Sequence, residues 1–209
     1  MTKRRAFDAE LSPVIIDTAV RAALAEDLGI AGDVTTDSVI GPEVRAKGLF
    51  ATRKPGVVSG LAVAEAAFRM LDPNVKFEIV HPDGTHAPGK SPLARVEGTA
   101  RALLSAERVA LNFVGRMAGI ATLTAKYVDA IKGTKACIID TRKTTPNLRP
   151  FEKYAVRCGG GMNHRVGLFD AVLIKDNHIA VAGGIKQAIE AVRNRVGHLV
   201  KIEIEVDTL

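Results

Sequence analysis

Three apolar segments in the second half of the chain constrain its fold more than any other feature. ACIID, FDAVLIK and KIEIEV begin at residues 136, 169 and 201, so their starts lie about thirty residues apart. The segment AGGIKQAIEAVRNRV, between the second and the third, has the apolar pattern of a helix. Strands that alternate with helices at this spacing are typical of parallel βα units, and they predict part of an α/β barrel. The active site of such a barrel forms at the carboxyl ends of its strands.

The first half of the chain has a different pattern, which predicts a small α+β domain. Helices are predicted over residues 14–27, ending near Gly29, and over residues 61–71. The segments predicted to form an antiparallel sheet are KGLFATRKPGVVSGL (a strand and hairpin), VKFEIV and ARVEGTARALL. Turn-rich links are predicted for GDVTTDSVIGP and HPDGTHAPGKSPL, and the latter contains His81 and His86, whose spacing is too weak to indicate a metal site.

A long helix is predicted to connect the two halves. Ser105 is a candidate N-cap, Glu107 would lie in the first turn near the positive end of the helix dipole, and the helix would close at Gly133. Gly115 and Gly119 would either kink this helix or allow close packing. The predicted domains are residues 1–113 and residues 114–209.

The composition narrows the class of partner. The 209 residues carry a formal charge of +6 and 47% hydrophobic residues, but only 4% aromatic residues. No run of basic residues is longer than Lys3-Arg4-Arg5, and the basic residues gather at predicted strand ends. This distribution favours small anionic substrates over nucleic acid.

Location is predicted from what the sequence lacks. Charged residues interrupt every long apolar stretch, so no membrane span is predicted. The N-terminal segment MTKRRAFDAELSP has no apolar run of the kind found in secretory signals, and we expect a cytoplasmic protein. Cys137 and Cys158 are interpreted as reduced structural thiols, because two cysteines are too few for a disulfide framework.

Basic residues follow or precede the first two predicted strands. Arg142 and Lys143 come directly after ACIID, and this pair is either an anion clamp or, taken alone, a solvated loop. The run from Gly159 to Arg165 contains three glycines, whose amides could approach a ligand or whose backbone could form a mobile loop. Lys175 ends the second strand after four apolar residues, and its partial desolvation there suits the binding of a carboxylate.

Acidic residues alternate along the third strand. Glu203, Glu205 and Asp207 point to one face because side chains alternate in a strand. Inside a barrel these carboxylates would repel one another unless cations or a metal ion compensate them. The alternative is an edge strand with a solvated acidic face, which is uncommon after a βα unit.

Several long motifs resemble one family. These are EDLGIAGDVTTD, RKPGVVSGL, GTARALLSAER, ERVALNFVGRMAGIATLT, DTRKTTPNLRPFEKYAVRCGGGMNHRVGLFDAVLIKDNHI and EIEVDTL. Together they resemble nicotinate-nucleotide pyrophosphorylase (carboxylating), the quinolinate phosphoribosyltransferase family, from about residue 14 to residue 209. The resemblance implies an α/β protein with an N-terminal α+β sandwich domain followed by an incomplete, truncated α/β barrel, and an active site at a dimer interface.

The resemblance also implies a reaction and a set of roles. Quinolinate and phosphoribosyl pyrophosphate would become nicotinate mononucleotide, pyrophosphate and CO2, with Mg²⁺ as cofactor. Arg142, His164, Arg165 and Lys175 match the residues that bind the quinolinate carboxylates, and Lys143 matches the residue that reaches both substrates. Arg108 matches an arginine supplied by the partner subunit of a homodimer or higher homo-oligomer. Glu205 matches the acidic residue near the ribose and Mg²⁺, with Glu203 as the alternative, and Lys143, Lys175 and Glu205 are the catalytic candidates.

The ending of the sequence departs from the family pattern. The family continues beyond EIEVDTL with further βα units that carry a second acidic residue and phosphate-binding turns, and we therefore expect a truncated chain with impaired or absent activity. Two alternatives stay open. One is a related phosphoribosyltransferase or molybdenum-transport paralogue with the same fold, and the other is a non-catalytic fragment that only dimerises.

Overall fold

The computed structural model describes residues 10–208. Residues 1–9 and Leu209, and with them most of the N-terminal segment interpreted above, lie outside this range. The chain divides into two compact units. The first unit contains the described residues up to Asp140 together with Thr144–Asn163, and the second contains Thr141–Lys143 and the described residues from His164 onward.

The first unit has a helical layer and a small antiparallel sheet. Its helices are α1 (Pro13–Leu28), α2 (Val34–Val39), α3 (Leu61–Leu71), α4 (Ala100–Ala130) and α5 (Arg149–Cys158). Its strands are β1 (Arg45–Thr52), β2 (Gly56–Val57), β3 (Lys76–Ile79), β4 (His86–Ala87) and β5 (Ser91–Thr99). The main sheet has the order β1-β5-β3, and all its pairings are antiparallel.

The core of the first unit forms where α3 and α4 pack together and against the sheet. Leu61, Val63 and Phe68 of α3 and Met117 of α4 are almost completely buried. Phe50 of β1 meets the Phe68 ring edge-on, with 6.5 Å between ring centroids. Burial of these large side chains provides the main driving force for folding of this unit. The predicted α+β organisation is therefore confirmed.

Several sequence-based element predictions are confirmed and others are wrong. Helix α1 ends at Leu28 with Gly29 as its C-cap, and α3 spans the predicted residues. The predicted hairpin is wrong, because β1 pairs with β5 and β2 pairs with β4. The strand predicted for ARVEGTARALL ends at Thr99, where α4 begins. The link HPDGTHAPGKSPL contains β4 and the start of β5.

Ser105 does not cap the long helix, contrary to the prediction. Helix α4 begins at Ala100 and ends at Ala130, so Ser105 and Glu107 lie beyond its first turn. The Ser105 hydroxyl instead donates a hydrogen bond to Asp33, at 2.9 Å. Asp33 is the N-cap of α2, which forms inside the segment predicted to be turn-rich, and it also accepts a hydrogen bond from the Thr36 amide. The Asp33 carboxylate therefore caps the N-terminus of α2 and connects this helix to α4.

Arg101 makes the same connection at the other end of α2. Its guanidinium donates to the carbonyl oxygens of Ile40, at 2.7 Å, and Asp37, at 3.0 Å. It also pairs with the Asp37 carboxylate at 3.1 Å. The motifs GDVTTD and GTARALLSAER, which lie far apart in the sequence, are thus two sides of one polar contact.

We expect the stability of the first unit to depend on the ionisation of Asp33. Hydrogen bonds from Thr36, and then from Ser105, hold the pKa of this carboxyl below its usual value of 3.8. A lowered folded-state pKa adds stability that is fully present above the unfolded pKa and is lost as the pH falls through the folded pKa. Asp33→Asn keeps a residue that caps helices well but removes the charge, so it should weaken the loss of stability in acid.

Urea unfolding at pH 7 and pH 3 measures this effect. The difference in unfolding free energy between the two pH values should be smaller for Asp33→Asn than for the unaltered chain. Asp129→Asn, at an exposed carboxylate near the end of α4, is the matched control. Equal pH dependence in the Asp33→Asn variant and the unaltered chain would contradict the assigned role of Asp33.

The second unit contains the parallel βα arrangement. Strand β6 (Val172–Ile174) pairs in parallel with β7 (Ile202–Ile204), and the intervening chain forms α6 (Asp176–Ala182) and α7 (Ile185–Arg193). The predicted α/β class is therefore confirmed. The first predicted strand, ACIID, is reduced to a single parallel bridge between Ile139 and Met162, within the first unit.

Two further findings concern the whole described chain. The predicted domain boundary at residues 113 and 114 falls within α4, and it stays a prediction. Across residues 10–208, no helix combines the length and the apolar character needed to cross a membrane.

The glycine run after α5 has neither of the two roles considered from the sequence. The amides of Gly159, Gly160 and Gly161 donate to carbonyl oxygens in the last turns of α5. A Cβ on Gly159 would lie 2.4 Å from the carbonyl oxygen of Ala121 in α4. The glycines therefore close the end of α5 and let it approach α4, and their N–H groups are already used.

Candidate functional site

Lys175 and Glu205 lie together at one edge of the parallel strand pair. Lys175 follows β6 directly, and Glu205 follows β7 directly. The Glu205 amide donates to the carbonyl oxygen of Ile174 at 2.9 Å, which extends the pairing by one step. Lys175 Nζ lies 3.5 Å from Glu205 Oε2. The carboxyl ends of parallel strands meet at the same edge, and these two opposite charges are therefore placed side by side.

A second polar contact joins His164 to the neighbouring carboxylate. Glu203 is in register with Leu173 of β6, and its Oε2 lies 3.3 Å from His164 Nε2. The His164 side chain is 29% exposed and that of Glu203 is 48% exposed, so solvent and a ligand can both reach the pair. Glu203 and Glu205 thus each lie beside a basic residue, and all three acidic residues of this segment, Asp207 included, are exposed.

Arg165 is held by the loop that leads into β6. Its Nη1 donates to the carbonyl oxygen of Ala171 at 3.1 Å. The Asp170 carboxylate accepts from the amides of Val166, at 2.6 Å, and Gly167, at 2.8 Å, and so closes the loop between Arg165 and the strand. The buried Nε of Arg165 has no hydrogen-bond acceptor among the described residues. A buried donor of this kind at a cationic site is suited to an anionic ligand.

Arg142 and Lys143 lie in a short turn of the second unit. The Lys143 amide donates to the Thr141 hydroxyl at 3.0 Å, which bends the chain at this point. The Arg142 side chain is half-buried and that of Lys143 is exposed. Arg108, in contrast, lies on an exposed position of α4 in the first unit.

The second unit therefore carries more basic than acidic groups among its candidate residues. Arginine provides planar donors that match a carboxylate, and lysine provides a mobile point charge. Both side-chain types stabilise anions, so this set of residues has the chemistry to bind a small polyanion.

Sequence reasoning missed a buried polar cluster in the first unit. Lys153 of α5 pairs with Asp140, and their side chains are only 3% and 9% exposed. Asn163 donates to the Asp140 carboxylate at 2.6 Å and accepts from Arg157 at 2.7 Å. The cluster was missed because α5 was not predicted, and the spacing of Phe151 and Ala155 would have placed Lys153 on the opposite face of such a helix, where a lysine is expected to be solvated.

Asp83 also has a role that the sequence did not predict. It accepts hydrogen bonds from the amides of Gly60, at 2.7 Å, and Leu61, at 3.2 Å, where α3 begins. The Tyr154 hydroxyl donates to the same carboxylate at 3.1 Å. Burial, and next the negative charge of Asp83, raise the pKa of Tyr154 well above its usual value. Asp83 therefore accepts from amides at the N-terminus of α3, whose N-cap residue is Gly60.

The two cysteines differ in their surroundings. Both are free thiols. Burial raises the pKa of the Cys158 thiol, which agrees with its interpretation as a structural residue. Cys137 is exposed, so its interpretation as a structural thiol is wrong. Within residues 10–208 no group of three or more His, Cys, Asp or Glu side chains is placed to hold a metal ion.

The fold and the charges of the second unit define a class: an α/β protein with basic and acidic side chains at the carboxyl ends of parallel strands. Comparison with known families is more specific. Residues 33–118 match the quinolinate phosphoribosyl transferase N-terminal domain, and residues 120–209 match the C-terminal domain of the same family. The chain belongs to the quinolinate phosphoribosyl transferase family.

Individual relatives agree with this assignment. The chain is 45% identical over 190 residues to a chloroplastic nicotinate-nucleotide pyrophosphorylase (carboxylating) of Oryza sativa, covering 90% of this chain and 51% of the relative. It is 44% identical over 183 residues to a probable enzyme of the same name from Bacillus subtilis, covering 88% and 63%. The chain thus spans between half and two thirds of the length of these two relatives.

Solved structures show the same similarity. The crystal structure of NadC from Streptococcus pyogenes matches with a TM-score of 0.90 and 40% identity, covering 96% of this chain and 71% of that one. The nicotinate-nucleotide pyrophosphorylase of Francisella tularensis matches with a TM-score of 0.89 and 38% identity, covering 96% and 70%.

Proposed function

We propose that the chain functions as a quinolinate phosphoribosyltransferase, a pentosyltransferase of NAD biosynthesis. Quinolinate and phosphoribosyl pyrophosphate would react to give nicotinate mononucleotide, pyrophosphate and CO2. The observation that carries this proposal is the set of basic residues around the strand pair of the second unit. Lys175 and His164 contact strand carboxylates, and the buried Nε of Arg165 has no acceptor among the described residues.

The basic residues account for recognition of the acid substrate. Quinolinate carries two adjacent carboxylates, and binding them requires several donors with a fixed geometry. Arg142, His164, Arg165 and Lys175 would provide these donors, and Lys143 would contact both substrates. The two substrates are both anionic, so cations between them offset their repulsion and hold the pyridine nitrogen near the ribose.

The acidic residues would act on the ribose. Attack of the pyridine nitrogen on the ribose C1 forms the N–C bond as the C–O bond to pyrophosphate breaks, and positive charge develops on the sugar. The Glu205 carboxylate would stabilise this charge, with Glu203 as the alternative. Lys175, at 3.5 Å, holds Glu205 in place. The carboxylate next to the new pyridinium then leaves as CO2, its bonding electrons pass to the ring carbon, and that carbon takes a proton.

A magnesium ion fits this set of residues. Mg²⁺ is commonly bound through one or two carboxylates together with substrate phosphates and water, and the Glu205 side chain is 64% exposed beside the strand ends. Glu205 would therefore hold the ion on the protein side. When bound, the ion would neutralise charge on the pyrophosphate.

The proposal includes a homodimer or higher homo-oligomer and a cytoplasmic location. The exposed Arg108 would be contributed to the active site of the partner subunit, as the family resemblance implies. A reducing compartment agrees with the two free thiols. The non-catalytic alternative also requires dimerisation, and size-exclusion chromatography with and without a full-length relative tests that part separately.

Product formation tests the activity. The chain is incubated with phosphoribosyl pyrophosphate, Mg²⁺ and quinolinate, and nicotinate mononucleotide and CO2 are measured together. We expect equal amounts of the two products. Product from nicotinate but not from quinolinate would favour the related phosphoribosyltransferase. Absence of product at every chain concentration would contradict the proposed activity.

A further inference from the structure

Helix α5 contacts the first-unit residue that flanks each point at which the chain passes between the two units. The passages are the peptide bonds from Asp140 to Thr141, from Lys143 to Thr144 and from Asn163 to His164. Arg142 and Lys143 lie between the first two passages, and His164 and Arg165 follow the third directly. The first-unit residues that flank these passages therefore determine where both basic segments start.

Lys153 contacts the first-unit residues at two of these passages, Asp140 and Asn163. Its ammonium pairs with one Asp140 oxygen, and its own carbonyl oxygen accepts a hydrogen bond from the Asn163 amide group at 2.8 Å. The same Asn163 amide group donates to the second Asp140 oxygen at 2.6 Å. Arg157, one turn further along α5, donates to Asn163 Oδ1 at 2.7 Å. Lys153 thus joins Asp140 and Asn163 in one cluster.

The backbone at the two passages is also paired. The Met162 amide donates to the carbonyl oxygen of Ile138 at 2.9 Å, and the Asp140 amide donates to that of Met162 at 3.1 Å. These bonds keep the segments before Thr141 and before His164 side by side. The side-chain cluster and the backbone bridge therefore act on the same pair of segments.

The remaining passage is held by the start of α5. Arg149 Nε donates to the Thr144 hydroxyl at 3.0 Å. The Glu152 carboxylate accepts from the Thr145 amide at 3.2 Å. The residues on either side of the Arg142–Lys143 turn, Asp140 and Thr144, are thus both bonded to side chains of α5.

Stability alone does not account for a lysine at this position. A buried ion pair is often no more stabilising than apolar side chains of the same volume, because both charges must be desolvated. Apolar residues in α5, such as Phe151 and Ala155, already pack in the core. The ion pair instead fixes the positions of the residues it joins, because charged donors and acceptors constrain their geometry more closely than apolar contacts do.

We propose that Lys153 is a positioning residue, which holds the starting points of the Arg142–Lys143 turn and the His164–Arg165 segment through Asp140 and Asn163. The effect on substrate binding rests on the proposed function, whereas the effect on the local backbone does not. Groups that bind a small ligand must be held closely, and loosening their support costs affinity without removing any donor.

Two variants of the full chain test this proposal. Lys153→Met removes the ammonium at similar length, and Asn163→Ala removes the link between residues 140 and 163 but leaves the Lys153–Asp140 pair intact. Tyr154→Phe is the matched control, because it removes a part-buried hydrogen bond from the next residue of α5 and touches neither Asp140 nor Asn163. Circular dichroism establishes that each variant is folded, and Asn163→Ala provides the test if Lys153→Met does not fold.

Amide hydrogen exchange is the first measurement, because it needs no ligand. We expect exchange in residues 138–144 and 162–166 to rise by about tenfold or more in the folded variants, and to change little in Tyr154→Phe. Quinolinate titration is the second, with affinity expected to fall by about tenfold. Unchanged exchange in folded Asn163→Ala would overturn the proposal. If exchange rises in the variants but the unaltered chain does not bind quinolinate, the positioning role of Lys153 is supported and only the proposed function is contradicted.

Discussion

Arg165→Ala should lower the affinity of the chain for quinolinate by about 100-fold or more. A hydrogen bond to a charged group contributes about 1.5–3 kcal/mol, and an arginine that binds a carboxylate makes two. The loss of both is about 3 kcal/mol at least, and each 1.4 kcal/mol changes affinity tenfold. The buried Nε of Arg165, which no described residue accepts from, is the donor that the ligand would satisfy. Isothermal titration calorimetry at fixed ionic strength measures the change.

A control with the same change of charge separates a specific contact from a general electrostatic effect. Lys186 lies on α7 in the same unit, and its side chain is 82% exposed and 3.9 Å from Glu190. An exposed pair of this kind contributes little, so Lys186→Ala should leave quinolinate affinity within about twofold. Equal losses in Arg165→Ala and Lys186→Ala would show that only net charge matters and would refute the assigned role.

Lys175→Ala should also weaken binding, for two reasons. It removes a cation from the site, and it leaves the Glu205 carboxylate without its partner at 3.5 Å. An uncompensated carboxylate would then repel the substrate. Adding Glu205→Gln to Lys175→Ala should recover part of the affinity in a titration, because the repulsion is removed. If the affinity does not recover, Lys175 contributes to quinolinate binding independently of Glu205.

Gly159→Ala should destabilise the first unit by about 2–3 kcal/mol, the cost of overpacking a well-packed contact. The added Cβ would lie 2.4 Å from the Ala121 carbonyl oxygen and 2.6 Å from Thr124 Cβ, both in α4. The Ala121 carbonyl belongs to a regular helix, so it cannot move away without disturbing α4. Urea unfolding followed by circular dichroism measures the loss.

Gly119→Ala is the matched control for this substitution. Gly119 lies within α4, and a Cβ there meets nothing within 4 Å. Alanine is favoured over glycine inside a helix, so this variant should gain about 0.5–1 kcal/mol. Opposite signs for the two substitutions are expected. A loss in both would show that the effect of Gly159→Ala does not come from its contact with α4.

The sequence predicted the fold class and the strand-end charges because both depend on regular patterns. The thirty-residue repeat of strands predicted the parallel pairing of β6 and β7. The alternation in KIEIEV predicted that Glu203 and Glu205 share one face, and the structure places a basic residue beside each. Patterns of period two are local, so they can be read without tertiary information.

The elements that were predicted wrongly depend on contacts between distant segments. Asp33 caps α2 within a segment of turn residues, and it also accepts a hydrogen bond from Ser105, which lies far away in the sequence. Strand β1 pairs with β5 rather than with its sequence neighbour. Helix α5 was also missed. Its buried residues include Lys153, and a lysine is recognised as buried only when its partner, Asp140, is known. Local propensity does not determine such pairings.

The central claim, that the basic residues around the strand pair of the second unit bind a pyridine dicarboxylate, is tested most directly with the unaltered chain. Calorimetric titration with quinolinate is compared with titration by nicotinate, which has one carboxylate, at the same pH and ionic strength. We predict saturable binding of quinolinate and an affinity for nicotinate that is lower by about tenfold or more, since charged hydrogen bonds are lost. Equal affinity for the two acids, or no binding of quinolinate, would contradict the claim.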